Sequence, residues 1–468
     1  MKYISTRGSA PKLAFDDVLL TGLARDGGLY MPESWPQFSA ADLAEMKTLS
    51  YTELAVKVML PFVEEVVSKE DLTAIVNETY ADFDHEDVAP MVKLGENEYV
   101  LELFHGPTLA FKDFALQFLG RIFDHVLTKR GAKLTIAGAT SGDTGSAAIE
   151  ACRDRDNIEI FILHPSGKVS EVQRRQMTTV LSDNVHNIAL EGNFDDCQNT
   201  VKALFNDEAF RDQVNLSAVN SINWARIMAQ VVYYFWSGLR AGAPETEVAF
   251  SVPTGNFGNV LAGIVAMKMG LPVNQFIIGS NANDILIRFI ESGAMESKGV
   301  MATTSPSMDI QISSNFERFL FELMDRDSDA LNKAMDSFKE NGSYDVSDTV
   351  IQRLKDIMDG ERFDDEGTAK LIGEVYKESN YLLDTHSAIG VGAARAKRKD
   401  KSIPVVCMAT AHPAKFPDAV KAASGVHPEL PSHLSDLYER DEQYTELPGS
   451  FDAVKGYIET TLKERGKL

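Results

Sequence analysis

From residue 98 onward the chain alternates short apolar runs with helical patterns of about ten residues or more, the signature of βαβ units. The runs fall at 99–104, 134–137, 158–163, 248–252, 276–278 and 405–408. Strands that alternate with helices build a mostly parallel sheet covered on both faces. Six of them exceed one small unit, so the pattern predicts two α/β lobes. Residues 1–90 read as a helical segment instead, with turn signals at Asp26-Gly27-Gly28 and Pro32. Ser50-Tyr51-Thr52-Glu53 has capping-box spacing, and Leu54, Ala55, Val58, Met59 and Phe62 follow at helical intervals. The acidic stretch 82–87 reads as a solvated turn or a linker. Residues 316–400 are mainly helical, with Val350, Ile351, Leu354, Ile357 and Met358 on one face. A last amphipathic helix follows Ser450, with Val454, Tyr457, Ile458 and Leu462 facing inward.

Charge excludes several partners. Lys and Arg number 46 against 69 Asp and Glu, a formal charge of −23, and no basic block is segregated from the rest. Such a chain repels phosphodiester backbones and anionic lipid heads. Neither nucleic acid nor a membrane is an expected partner. The most apolar stretches, near 231–236 and 260–267, fall short of the roughly 18 residues that span a bilayer. The N-terminus lacks the apolar region of a secretory signal. Three scattered cysteines, Cys152, Cys197 and Cys407, make neither a disulfide framework nor a metal site. The expected location is a reducing cytoplasm. Monomer and homodimer both remain open.

Three strand-to-helix loops carry chemical groups. One runs through Thr140, Ser141, Gly142, Asp143, Thr144 and Gly145; another through Thr254, Gly255, Asn256, Phe257, Gly258 and Asn259. Each delivers small residues to a helix start, where free N–H groups and the dipole favour an anion. Neither matches a nucleotide-phosphate loop, and Gly390-Val-Gly392 is a weak dinucleotide signal because Arg395 stands where a third glycine belongs. The third loop places Thr410, His412 and Lys415 after the run 405–408. Upstream, Lys112 sits among aromatic and aliphatic residues in Phe111-Lys112-Asp113-Phe114. Desolvation favours the neutral amine, which a Schiff-base lysine requires. The plainer reading pairs Lys112 with Asp113 or leads it to solvent.

The segment His105-Gly-Pro-Thr-Leu-Ala-Phe-Lys112-Asp-Phe114 resembles the pyridoxal-phosphate (PLP) lysine motif of threonine synthases, which are fold type II, tryptophan-synthase-β-like enzymes. Residues 3–8 and 26–32 are similar to the family's N-terminal blocks. Residues 139–145, 253–259 and 409–413 are similar to its remaining blocks, in the same order. The long helical insertion is like the fungal and proteobacterial branch.

The resemblance implies a two-lobed α/β architecture with a helical N-terminal domain (1–90). It implies a large PLP-binding domain (91–130 and 211–430), a small mobile domain (131–210) and a C-terminal helical segment (431–468). By the same resemblance Lys112 holds PLP and moves protons. Gly255, Asn256, Phe257, Gly258 and Asn259 hold the cofactor phosphate, and Thr410 meets the pyridine nitrogen. Thr140, Ser141, Asp143 and Thr144 take the substrate α-carboxylate. The implied reaction turns O-phospho-L-homoserine and water into L-threonine and phosphate by γ-elimination and β-addition. The leaving phosphate needs a cation. Arg226 is the first choice, ahead of Lys415 and of Arg318, which suits a structural role. No metal is implied. The competing readings are a serine/threonine dehydratase-like lyase and an inert phosphometabolite-binding protein.

Overall fold

The computed structural model describes residues 1–468, which divide into two compact units. The first comprises Met1–Val18, Leu23–Phe111 and Ser221–Glu429. Its six-stranded sheet runs in the order Met358–Arg362, Val273–Ser280, Val248–Pro253, Val405–Ala409, Glu98–Glu102, Met91–Gly95. All neighbours are parallel except the last pair, Glu98–Glu102 with Met91–Gly95, which is antiparallel. Val248–Pro253 and Val405–Ala409 are buried at every position, which is why they read as unbroken apolar runs. The helix Thr385–Lys397 lies close on this sheet. The Ser251 hydroxyl donates to the Gly390 carbonyl at 2.6 Å, so Gly390 serves helix packing, and its place inside a helix rules out a dinucleotide loop.

The two most apolar stretches belong to the buried helices Trp224–Ala241 and Gly258–Lys268 of this unit. No helix is long and apolar enough to cross a membrane. The N-terminal region is helical as expected, with Ser50 and Glu53 exchanging both bonds of a capping box. It also contains an antiparallel strand pair, Tyr3–Ser5 with Tyr30–Pro32, that periodicity over three residues could not reveal. The acidic stretch 82–87 is a turn, tied in by the Asp84 N–H on the His105 carbonyl.

The helical face expected to run from Val350 to Met358 stops at Ile357. Met358 begins a sheet strand, Met358–Arg362, whose sequence is mostly polar. An edge strand exposes one side, so it needs no apolar run.

The second unit comprises Leu19–Gly22, Lys112–Asn220 and Leu430–Leu468. Its parallel sheet runs in the order Thr445–Leu447, Val185–Leu190, Ile158–Pro165, Leu134–Ala139, Leu216–Ser217. These units differ from the expected domains. The helix Lys112–Arg130, residues 211–220 and the C-terminal segment join this unit, and nearly all of residues 1–90 lie in the first. The reason is packing: Val454, Ile458 and Leu462 are sealed in one cluster with Phe161, Leu163 and Ile188 of the sheet. The helix Lys112–Arg130 lies close on Asp143–Cys152, where a Cβ on Gly120 would stand 2.1 Å from the Ala151 carbonyl.

Candidate active site

In the second unit, Lys112 is the first residue of its helix and is nine-tenths buried. Its Nζ donates to Asp143 Oδ2 at 3.2 Å. Asp143 opens the next helix, Asp143–Cys152, and its Oδ1 accepts from Gln173 Nε2 at 2.8 Å. Gln173 is held in turn by the Ser170 hydroxyl at 2.8 Å. The expected lysine is therefore buried, and its partner comes from a different loop. Sequence reasoning missed Gln173, whose only signal is its place three residues after the N-cap Ser170.

The loop 140–145 forms around Thr140, whose Oγ1 accepts from the Gly142 and Gly145 N–H groups at 2.9 and 2.8 Å. Gly142 sits at φ +141° and, with no side chain, leaves the capping of the helix after it to Thr140. The positive end of that helix favours an anion. Ser141 is exposed and Thr144 half-buried beside it. Asp143 was expected with these groups on a substrate carboxylate. Both of its carboxylate oxygens instead accept from protein donors, and a carboxylate repels another carboxylate.

In the first unit, the loop 254–259 joins the strand Val248–Pro253 to the helix Gly258–Lys268. Phe257 is left-handed, at φ +61°, an unusual backbone for a bulky residue. Its ring holds it there, stacked on Phe319 with centroids 5.6 Å apart and edge-on to Phe316 at 5.2 Å. The Ser313 hydroxyl donates to the Gly255 carbonyl at 2.7 Å, and the Asn315 N–H to the Asn256 carbonyl at 3.1 Å. With those carbonyls turned back into the protein, the uncapped N–H groups at the helix start are the loop's free polar face. Asn259 is buried, with Oδ1 at 2.9 and 2.8 Å from the Tyr233 and Tyr234 hydroxyls. Its Nδ2 is buried without a partner.

Arg226 also lacks partners. It is buried on the helix Trp224–Ala241, and neither Nε nor Nη1 has a hydrogen bond. Burial pulls its pKa down to about 10. Gln230 links the two orphans, donating to the Arg226 carbonyl at 2.8 Å while its Oε1 accepts from Tyr233 at 3.0 Å. Buried donors without acceptors are costly, and an anion would satisfy them. The other two candidate cations are occupied. Lys415 donates to the Thr108 carbonyl at 2.6 Å, and Arg318 is bonded to carbonyl groups.

Thr410 follows the strand Val405–Ala409, and its N–H donates to Ser387 Oγ at 3.0 Å. Ser387 is fixed by Asp384, which also binds His386 Nδ1 at 2.8 Å. The Thr410 carbonyl accepts from the Phe111 N–H at 2.9 Å, at the residue just before Lys112 in the chain. His105 meets Glu102 at 2.7 Å, and the Tyr381 hydroxyl takes the other Glu102 oxygen at 2.7 Å. Burial works against the Glu102 charge, but these two bonds hold it below the usual carboxylate range. His412 accepts from the Ala414 N–H, and burial pulls its pKa down to about 4.

Taken unit by unit, the chemistry suits a phosphorylated aldehyde cofactor: the second unit holds a buried amine, and the first a loop with an unsatisfied amide donor and a threonine at a strand end.

Comparison with known proteins agrees. Residues 84–337 match a model described as pyridoxal-phosphate dependent enzyme. Residues 2–80 match threonine synthase N terminus, and 387–458 match threonine synthase, C-terminal. The chain is 56% identical to a threonine synthase of Pseudomonas aeruginosa, with 98% of each chain covered. It is 44% identical to that of Saccharomyces cerevisiae, over 90% of this chain and 88% of the yeast protein. A crystal structure of PLP-bound threonine synthase from Brucella melitensis superposes with a TM-score of 0.97 at 54% identity, covering 98% of this chain and 99% of that one.

Proposed function

The chain belongs to the threonine synthase family of PLP-dependent enzymes, and on that premise we propose that it converts O-phospho-L-homoserine and water to L-threonine and phosphate. Its architecture is fold type II, with mostly parallel sheets flanked by helices and a helical N-terminal region. Bound PLP supplies an electron sink for the carbanions that removal of protons from the substrate creates.

The chain's own residues do the rest. Lys112 is the amine that takes the cofactor aldehyde and, when free, carries protons to and from the substrate carbons. Asp143 holds the charge of that amine, and Gln173 holds Asp143. Gly255, Asn256, Phe257, Gly258 and Asn259 hold the cofactor phosphate, chiefly through N–H groups and Asn259 Nδ2. Thr410 presents its hydroxyl to the ring nitrogen. Thr140, Ser141 and Thr144 orient the substrate carboxylate with hydroxyls at the positive end of a helix. Arg226 takes the phosphate that leaves. Cys152, Cys197 and Cys407 are free and buried, and we place the enzyme in a reducing cytoplasm on that ground.

The observation that carries the substrate assignment is the buried Arg226, with two donors and no acceptor. A dianionic leaving group needs such a fork. The test is product analysis with O-phospho-L-homoserine. Threonine and phosphate should appear in equal amounts, and Lys112→Ala should form neither. Arg226→Lys should raise KM at least about tenfold while the cofactor absorbance stays as in wild type. Keto acid from free L-serine or L-threonine, with no phosphate release, would replace this reading by a dehydratase-like lyase. A coloured protein that turns over neither substrate would discard the substrate and keep the cofactor.

A further inference from the structure

Arg318 lies on the helix Phe316–Leu323 and is completely buried. Its Nε and Nη2 donate to the Tyr30 carbonyl at 3.0 and 2.7 Å. Nη2 also reaches the Ile222 carbonyl at 2.6 Å, and Nη1 reaches Asn315 Oδ1 at 2.6 Å. Asn315, equally buried, carries the connection onward. Its N–H and Nδ2 donate to the Asn256 carbonyl at 3.1 and 3.2 Å, and Nδ2 also reaches the Ser221 carbonyl at 3.0 Å.

The neighbouring Glu317 grips the N-terminal segment. It accepts from Arg7 Nε and Nη2 at 2.8 and 2.9 Å and from the Thr6 hydroxyl at 2.6 Å. Thr6 Oγ1 in turn accepts from the Leu29 N–H at 2.9 Å. Three separate stretches of chain thus converge on three side chains at one helix start, Asn315, Glu317 and Arg318. The stretches are residues 6–7 with 29–30, residues 221–222 just before the helix bearing Arg226, and Asn256 of the phosphate loop.

A buried arginine with a purely structural task ordinarily finds a carboxylate. Arg318 has only amide and carbonyl oxygens, which solvate the guanidinium and leave its charge intact. Burial pulls its pKa down to about 9, against the opposing pull of the Glu317 charge, which makes no hydrogen bond to it. One side chain, Asn315, separates that charge from the loop 255–259.

We propose that Arg318 is a positioning residue for phosphate recognition: through Asn315 it sets the Asn256 carbonyl, and so the direction of the N–H groups that follow, while tying the loop to the N-terminal segment through Tyr30. Its charge stands behind the loop as a second source of attraction for a dianion. The N-terminal domain then has a definite task, since its Tyr30 carbonyl is half of what fixes the arginine. This inference rests on the reading that residues 255–259 hold the cofactor phosphate.

The test compares PLP with pyridoxal, which has the same ring and aldehyde and no phosphate. Both are titrated onto apoprotein by absorbance, with inorganic phosphate as competitor. Arg318→Lys keeps the charge and loses the planar fork. It should bind PLP about tenfold more weakly or worse, with pyridoxal affinity unchanged and phosphate a poorer competitor. Arg318→Met, which also loses the charge, should be weaker still. Equal weakening of both ligands, or unchanged PLP affinity, overturns the proposal. If neither arginine variant folds, Asn315→Ala decides on the same criteria, because it keeps the guanidinium and cuts the side-chain links that join it to Asn256 and Ser221. Wild-type protein that binds PLP no more tightly than pyridoxal overturns the phosphate-loop assignment itself, and the proposal with it.

Discussion

Lys112 and Asp143 are charged side chains almost wholly removed from water, where each is costly without the other. Replacing either by Ala breaks a buried ion pair, at about 3 kcal/mol of stability. The double variant Lys112→Ala, Asp143→Ala should lose less than the sum of the singles, by about 1 kcal/mol or more, in a urea-unfolding cycle. Strict additivity would show that the pair is not coupled. His412 gives a pH prediction. It is packed near His105, Glu102, Asp384 and Lys415, and stays neutral in the fold down to about pH 4. An unfolded histidine takes its proton near pH 6.5. Between those values the unfolded state binds more protons, so stability falls as pH drops from about 6.5 toward 4, by up to about 3 kcal/mol. His412→Gln should flatten that part of the profile, as read from urea midpoints at several pH values.

The helices that carry the pair approach each other at Gly120, where a Cβ would meet the Ala151 carbonyl at 2.1 Å. Backbone cannot yield as a side-chain tip does, so Gly120→Ala must separate the helices Lys112–Arg130 and Asp143–Cys152. The expected cost is about 1–3 kcal/mol. Because Lys112 and Asp143 open those two helices, PLP affinity should fall along with the urea midpoint. A variant with wild-type affinity and midpoint would refute the close approach. Element boundaries in the sequence were clearest where local chemistry decides them. The capping box at Ser50 and the N-cap at Ser450 both form as their spacing indicates. The strand Met358–Arg362 was not legible, because parallel pairing with Val273–Ser280 creates it and its own residues do not.

At the scale of the whole molecule, the second unit is closed by residues that arrive about 230 positions after its sheet is otherwise complete. The helix Phe451–Glu464 supplies Val454, Ile458 and Leu462 to the core, and Glu159 binds Arg465 at 2.7 Å and Lys467 at 2.8 Å. Those bonds, with His186, hold Glu159 down to about 2 despite its burial. Burying three such side chains contributes about 5–9 kcal/mol. Removing residues 448–468 should therefore strip hydrogen-exchange protection from the strands Leu134–Ala139, Ile158–Pro165 and Val185–Leu190. Persistent protection there would mean the helix is dispensable.

Periodicity and turn chemistry in the sequence were enough for the α/β class, the helical N-terminal region and the positions of the strand-to-helix loops. Those features arise from neighbours in the chain, through side-chain spacing, caps and glycine turns. Arg226 was the first choice among three cations in the sequence, and what folding adds is that its Nε and Nη1 are buried without an acceptor while Lys415 and Arg318 are bonded to carbonyls. Asp143 could be named from its loop, but nothing near it in the chain indicated that its carboxylate lies against Lys112, 31 positions away. The signal of Gln173, its place three residues after an N-cap, says nothing of Asp143, and Asn315 and Tyr234 gave no local signal. Their work consists of hydrogen bonds across 30, 59 and 25 positions, and only folding brings such partners within the roughly 3 Å at which a hydrogen bond acts.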